Sequence, residues 1–472
     1  MLVKALVIGA YAVLTLAIGY AGMKKARTFT DFFLGGRSVG PWMSAFTYAA
    51  AYFSAVLFIG FAGKVGWGFG LSGLWIALAN AVVGVLGVWG LLGDRIRRMS
   101  VELQVTTMPE FLEKRYGSPF LKLVASVAVF VFLVPYSAAV FIGLSYLFKA
   151  NFGFGFVPAL LVMGLFTAFY LVLGGYKSMT MIDVVFGLVM CAGSAVLLAS
   201  TIGKAGGLER LTEGLAAIDP RLTAPVGPGG AWPLFALVFL TSIAPFAMPQ
   251  LVQKFYAIRD KRAVRRGMIA STAFALLIAG TAYFTGAAAR LFLTPETAPA
   301  AFAGGKPVFD VLMPEFLAKV VPHSLSVLML LLILSASMST LAALVLISSS
   351  SVVKDLYAGF VNRAVTDRAL TRLMRIASAV FVLLSVVLAY LRPATIVAIL
   401  SVSWGAIGSF FLGPFVWGLI GKRATKFGAI GSAALGLGMC LGLAFTGTPP
   451  AEAGTIGMIV SFASTPLLSL FR

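Results

Sequence analysis

The run Ser335-Ala336-Ser337-Met338-Ser339-Thr340, followed by Ser348 to Ser351, is the densest set of oxygen donors in an otherwise apolar stretch. Hydroxyls inside a membrane bond back to their own helix or glue helices together. They can also join backbone carbonyls, freed where a helix unwinds, to hold a hard cation such as Na⁺. On residue types alone both remain open. The acids give a second pointer, because a carboxylate inside a bilayer is costly and needs a reason. Fifteen of the 16 acids fall in loops or at the ends of apolar runs, and the exception is Asp183. It follows Gly174-Gly175-Tyr176-Lys177 by a few residues. There it would meet a helix N-terminal dipole or pair with Lys177, or face the interior as a way-station for a cation.

Other chemistry lacks residues. There is no HExxH, no Ser-His-Asp set, no P-loop and no buried carboxylate pair, so catalytic residues are not expected, nor is a nucleotide-binding domain. The sole histidine, His323, begins an apolar run. Cys191 and Cys440 each lie inside one and read as packing residues.

These residues must be positioned by a chain of 472 residues that is 60% hydrophobic and 11% charged, with mean hydropathy +1.00. Soluble domains carry about 25% charge, so a soluble enzyme is excluded and a polytopic α-helical membrane protein is expected. Thirteen spans are read: 2–22, 41–63, 71–93, 118–147, 156–175, 179–203, 231–253, 267–290, 323–350, 374–391, 394–420, 425–446 and 454–471. The first is a span, since a signal peptide carries its charge before a shorter core. Of 36 Lys and Arg residues, 25 fall in one alternate set of loops and ten in the other. That asymmetry puts the N-terminus outside and the C-terminus in the cytoplasm. It accounts for the net charge of +20 without any nucleic acid.

Residues 204–230, rich in Gly and Pro, read as an irregular external loop. Residues 307–322 read either as a short interfacial helix or as a plain loop. The second span has a small, polar-leaning middle, TYAAAYFS from Thr47, and the seventh has TSIAPFAMPQ from Thr241. Interrupted segments at matching positions of two halves point to a midplane binding site.

Five stretches, in order, resemble the sodium:solute symporter family: FFLGGRSVGPW (32–42), LVLGGYKSMTMIDVVFGLVM (171–190), PQLVQKFYAIRD (249–260), ILSASMSTLAALVLISSSSVVKDLY (333–357) and GKRATKFGAIGSAALG (421–436). The resemblance implies a LeuT-type core of two inverted five-helix repeats. Residues 1–40 hold the first span and a cytoplasmic loop, 41–203 the first repeat, 204–230 an external loop, 231–420 the second repeat, and 421–472 two peripheral helices. It also implies a sodium site made by the carbonyls of Ala50, Phe53 and Ala336 and the hydroxyls of Ser339 and Thr340. Asp183 would lie on the sodium path to the cytoplasm. A second sodium site used by some members would need hydroxyls where this chain has Ala342 and Ala343, so one Na⁺ per substrate is expected.

TYAAAYFSAVLFIGFAG (47–63) looks most like the pantothenate and monocarboxylate branch. Proline-transporting relatives carry an acid where this chain has Tyr52, and the arginine of sialic-acid members is missing from VPYSAAVFIG. A small substrate pocket is expected from Tyr52, Ser54, Tyr136, Ser137, Thr241, Ser242, Ser401 and Ser403, suited to a short organic acid. The expectation is a Na⁺-coupled symporter of a bacterial inner membrane, functional as a monomer. An amino acid or sugar as substrate, H⁺ coupling through Asp183, a channel, and a membrane sensor are the alternatives.

Overall fold

A chain this apolar must satisfy its backbone hydrogen bonds internally when it lies in lipid, and it does so almost wholly in helices. The computed structural model describes residues 2–23, 33–173 and 176–471. The basic residues Lys24, Lys25 and Arg27, the pair Gly174-Gly175, and Arg472 lie outside them.

The order begins with α1 (Leu2–Met23) and α2 (Pro41–Tyr52). A wide helical stretch, Val56–Phe61, leads into α3 (Ala62–Phe69). Next come α4 (Leu74–Ala79), α5 (Asp94–Glu102), α6 (Met108–Tyr116), α7 (Pro119–Phe152), α8 (Phe156–Leu173) and α9 (Tyr176–Ala205). A short α10 (Leu208–Ile218) precedes α11 (Ala231–Ile243), α12 (Pro249–Tyr256) and α13 (Lys261–Phe292). The remainder is a small hairpin of β1 (Phe302–Ala303) and β2 (Lys306–Pro307), then α14 (Phe309–Val320), α15 (Ser326–Ser350), α16 (Asp367–Leu391), α17 (Ile396–Ile420), α18 (Lys426–Phe445) and α19 (Pro450–Leu468).

Among the described residues, ten helical runs are long and apolar enough to cross a membrane. One of them, Val56–Glu102, has 47 residues, about 70 Å of helix against a bilayer core of about 30 Å. Gly70, at φ 61°, turns the chain inside this run. Side-chain caps end many of the helices. Thr107, Ser118, Asp260, Thr366, Thr395 and Thr425 each accept a backbone N–H at a helix start. Gly117 and Gly153 close α6 and α7 in the left-handed conformation; such caps satisfy otherwise orphaned backbone groups.

Burial separates centre from periphery. The apolar windows of α15 and α17 are each 89% buried, against 33% for α16 and α18. The first broken segment packs on α13 through glycine: a Cβ on Gly286 would lie 2.0 Å from the Ala62 carbonyl oxygen, and one on Gly66 2.1 Å from Gly286. Small residues allow this backbone approach.

Two loops depart from or resolve the sequence reading. Residues 204–230 are not wholly irregular, because α10 forms there and buries Leu211 and Leu215 against Leu222 and Ala288. Its apolar residues recur at helical spacing, a signal masked by the flanking glycines and prolines. In 307–322 the helix, α14, is the outcome, and its Asp310 accepts the Ile396 N–H that opens α17.

Candidate functional site

Two helices break near the middle of the bundle. Between α2 and α3 the chain leaves helical geometry at Phe53, with φ −109° and ψ 126°. The Ala55 N–H then bonds Ser337 Oγ at 3.2 Å, and the Val56 N–H bonds Ser54 Oγ at 3.2 Å. The carbonyls of Ala51 and Tyr52, which those N–H groups would serve in a continuous helix, are thereby released. Between α11 and α12 the break runs through Ala244–Phe246 and an extended Met248. The Tyr52 hydroxyl joins the two, donating to the Thr241 carbonyl at 2.6 Å.

α15 faces the first break with its hydroxyls. Thr340 Oγ1 lies 3.4 Å from the Ala50 oxygen, 3.3 Å from that of Ala51 and 3.1 Å from that of Ala336. Ser339 Oγ is buried without a hydrogen-bond partner. Ser337 Oγ, besides holding Ala55, donates to the Ile333 carbonyl at 2.6 Å. The carbonyl oxygens of Ala50, Ala51 and Ala336 gather at Thr340 Oγ1, while the neighbouring Ser339 hydroxyl is turned toward the Asp183 carboxyl. That donor set suits a hard, oxygen-seeking cation. No group of three or more His, Cys, Asp or Glu side chains gathers elsewhere among the described residues.

Asp183 lies two turns inside α9, which starts at Tyr176. The first-turn dipole reading is therefore overturned, and the carboxylate is wholly buried. One oxygen accepts from Thr47, and Oδ1 has no partner. The sequence reading also missed its basic neighbour. Lys254, counted with the cytoplasmic loop bases, is 1% exposed and donates to Thr47 Oγ1 at 3.2 Å. Its ammonium sits 5.1 Å from the centre of the Tyr176 ring. Asp183 is not the only enclosed acid either. Asp355, just past the end of α15, is fully buried and accepts from Thr107 Oγ1 at 2.7 Å, and Asp310 is also buried.

The expected substrate residues divide. Tyr52, Ser54, Tyr136 and Thr241 line one central cavity of about 30 Å³, with Phe53, Phe61, Asn80, Tyr283, Leu400 and Trp404 among its other walls. Trp404 stacks on Tyr52 and meets Tyr136 edge-on. Ser242 stands behind the wall, donating to Asn80 Oδ1 at 2.9 Å. Ser137 is buried without a hydrogen-bond partner, and Ser403 donates to the Phe132 carbonyl; neither lines the cavity. Ser401 lines a different one. Asn80 and Trp404 escaped the sequence reading, although Asn80 is a lone amide in an apolar run; Ser337 is read there in the hydroxyl run and Lys254 among the loop bases, neither with a part in the site.

Comparison with known proteins follows the same lines. A model of the sodium:solute symporter family matches residues 32–436. The chain is 30% identical over 442 residues to the sodium/pantothenate symporter of Escherichia coli (strain K12), covering 90% of this chain and 87% of that one. It is 29% identical to the high-affinity proline transporter PutP of Bacillus subtilis (strain 168), covering 89% and 88%. Among solved structures it is similar to a Na⁺-coupled sialic acid symporter in a substrate-bound outward-open state. The TM-score is 0.84 at 19% identity, with 99% and 97% of the two chains covered. Mhp1, a nucleobase-cation-symport-1 family transporter, gives a TM-score of 0.56 at 14% identity, with 92% and 93% covered. At these identities the likeness bears on fold alone: all-α, polytopic and LeuT-type.

Proposed function

The chain belongs to the sodium:solute symporter family, and from that premise we propose that it imports a monocarboxylate or pantothenate-like organic acid by alternating access. Na⁺ is the co-transported ion, and the protein is a multi-pass protein of the plasma membrane. The proposal takes thirteen spans, an external N-terminus, a cytoplasmic C-terminus, a functional monomer and one Na⁺ per substrate.

Na⁺ would be held by the carbonyls of Ala50, Phe53 and Ala336 and the hydroxyls of Ser339 and Thr340, and would leave past Asp183. The observation that carries this assignment is the approach of Thr340 Oγ1 to carbonyls on both sides of the gap between α2 and α15, beside the unpartnered Ser339 hydroxyl. A cation there ties the first broken segment to α15 and so favours one arrangement of the two. Substrate bound against the same break, at Tyr52, Ser54, Tyr136 and Thr241, feels that preference. By linkage each ligand raises the affinity of the other equally.

The central cavity supports a small substrate of modest polarity. Its walls carry aromatic rings, a few hydroxyls and one amide, with no charged side chain. A sugar would ask for more hydrogen bonds, and a carboxylate can be met by the helix ends exposed at the breaks. At about 30 Å³ the cavity has room for roughly one or two waters, so substrate must displace ring side chains such as Tyr52 and Trp404.

The test is uptake into proteoliposomes under an imposed Na⁺ gradient, using labelled pyruvate, pantothenate, proline and glucose. Uphill accumulation of an acid is expected, with the Na⁺ half-saturation raised about tenfold or more in Ser339→Ala and Thr340→Ala, the scale of one lost ligand at about 1.4 kcal/mol. Unchanged Na⁺ dependence in both variants would sink the sodium assignment. Accumulation of proline or glucose alone would transfer the substrate reading to amino acids or sugars.

A further inference from the structure

Two neighbouring helices carry bases at the same edge of the bundle. α5 closes the long run that begins at Val56, and α13 packs on that run through glycine. A Cβ on Gly93 would lie 3.1 Å from Val264 Cγ1, and one on Gly90 3.6 Å from Met268 Sδ. α5 holds Arg95, Arg97 and Arg98, and α13 opens with Lys261, Arg262, Arg265 and Arg266. Asp94 stands at the seam. Its carboxylate lies 3.2 Å from Arg98 Nε, 3.8 Å from Arg97 Nε and 3.9 Å from Lys261 Nζ, so three bases share one acid. Asp260 is taken by Arg259 at 2.8 Å and by the Ala263 N–H at 2.7 Å. Glu102, exposed at the C-terminal end of α5, pairs with none of them. Residues 94–102 and 259–266 together hold eight bases and three acids. The side chains of Arg95, Arg262, Arg265 and Arg266 make no hydrogen bond or ion pair among the described residues.

These bases continue the faces that meet lipid. On the first run Leu91 is 63% exposed, and Arg95 and Arg98 follow it on the exposed side, while Leu92, Ile96 and Ser100 are buried. On α13 Ile269 is 69% exposed, and Arg265 and Arg262 precede it by one and two turns, while Val264 and Gly267 face inward. Four residues of helix rise about 6 Å, and the headgroup layer beside the hydrocarbon core is about 5–7 Å deep. With Leu91 and Ile269 at the edge of the core, Arg95 and Arg265 stand level with the phosphates. Trp42, 68% exposed, marks the same level. Gly267 packs beside it, since an added Cβ would lie 3.3 Å from the Pro41 oxygen, and tryptophan favours the membrane boundary. A topological signal needs bases only somewhere in a loop. It does not call for them on lipid-facing sides, nor in the first turns of α13, where the helix dipole disfavours cations.

We propose that the seam between α5 and α13 binds an anionic phospholipid, its phosphate taken by the unpaired guanidinium groups of the two helices and its acyl chains lying along Leu91 and Ile269. The planar guanidinium fork matches phosphate oxygens, and clustered bases beside a membrane draw anionic headgroups. Each basic face runs on into an apolar, lipid-exposed one. That continuity selects a lipid over a soluble phosphate or a nucleic acid, which would gain nothing from Leu91 and Ile269. The site depends neither on the cargo nor on the sodium residues proposed above.

The purified full-length protein in detergent is titrated with phosphatidylglycerol, with phosphatidylcholine of the same chains, and with glycerol 3-phosphate, and its melting temperature is followed. Phosphatidylglycerol is expected to stabilise it at about a tenth of the phosphatidylcholine concentration, with glycerol 3-phosphate without effect; one base near an anionic surface is worth about fivefold in affinity. Combining Arg95→Gln, Arg262→Gln and Arg265→Gln should raise the half-saturating phosphatidylglycerol concentration about tenfold or more. Combining Arg363→Gln, Lys422→Gln and Arg423→Gln, three exposed bases elsewhere, should leave it within about twofold. Equal weakening in the two triple variants, equal response to the two lipids, or stabilisation by glycerol 3-phosphate overturns the lipid site. A second measurement needs no substitution. In phosphatidylcholine vesicles doped with a photoactivatable phosphatidylglycerol, label is expected on peptides from 88–102 and 261–276. Label confined to other segments overturns the site even where a variant fails to fold.

Discussion

Lys254 Nζ on α12 donates to Thr47 Oγ1 on α2 at 3.2 Å. Thr47 donates in turn to Asp183 on α9. One buried chain thus joins one half of each broken segment, α2 and α12, to α9 through Asp183. Its members lie far apart in sequence, and the middle one is neutral.

Removing the cation should leave Asp183 as an uncompensated buried charge. Lys254→Met is expected to destabilise by about 3–5 kcal/mol, the usual cost of breaking a buried pair from one side. Adding Asp183→Asn should recover part of it, with a coupling energy of about 1–3 kcal/mol. Thermal and denaturant unfolding in detergent measures both, and strictly additive losses would refute the coupling.

Ser337 positions the first break without being a proposed sodium ligand. Ser337→Ala leaves the buried Ala55 N–H unpaired, a cost of about 1–3 kcal/mol, and should raise the Na⁺ half-saturation about tenfold. Ser337→Thr keeps a hydroxyl and should restore most of it. Na⁺-dependent uptake decides; equal behaviour of Ala and Thr would count against the staple.

Tyr52→Phe keeps the ring against Trp404 but deletes the bond to the Thr241 carbonyl. A loss of about 1 kcal/mol corresponds to roughly a fivefold fall in kcat/KM, with no change in the amount of folded protein. Uptake kinetics at limiting substrate check it. A normal rate would mean that the two breaks move independently.

Glycines on one helix should respond with opposite signs. Gly286→Ala puts a Cβ 2.0 Å from the Ala62 oxygen, an overpacking worth about 1–3 kcal/mol or more. At Gly280 nothing lies within 4 Å of an added Cβ, so Gly280→Ala is expected to stabilise by about 0.5–1 kcal/mol through helix entropy. Melting temperatures of the two variants give the contrast.

Asp310 gives a pH dependence. Burial pushes its carboxyl up to about 6, opposed by the Ile396 N–H and the Lys64 ammonium. The folded protein therefore keeps a proton that the unfolded chain has lost. Stability should fall as pH rises from about 4 to about 6 and level off above, by about 3 kcal/mol at most. Asp310→Asn should flatten the profile of melting temperature over that interval, and an identical slope in both proteins would exclude Asp310 as its source.

The residues proposed to hold sodium were readable as candidates because their chemistry is carried by type and order. Ser339 and Thr340 stand out against an apolar run, and small residues before Tyr52 mark a segment able to unwind. Asp183 stood out for the same reason. Lys254 did not, because it lies near the end of an apolar stretch, where a basic residue reads as a loop marker. Only the break before α12 returns that half-helix to the interior. The serines of α17 could not be sorted by periodicity, since a helix enclosed on every side has no polar face to mark its orientation.

By itself the sequence determined that this chain spans a membrane many times, which loops carry the positive charge, and which oxygens are available to a cation. Those properties follow from composition and local order, because lipid demands apolar helices and few buried charges. Tertiary structure alone decided that Thr47 bridges Lys254 and Asp183, that Ser337 holds the break open, and that Ser401 belongs to a cavity with Lys64 rather than to the one beside Trp404. In lipid both the protein-facing and the lipid-facing sides of a helix are apolar. Which side chains meet is then set by backbone breaks and close glycine contacts, whose partners lie hundreds of residues away.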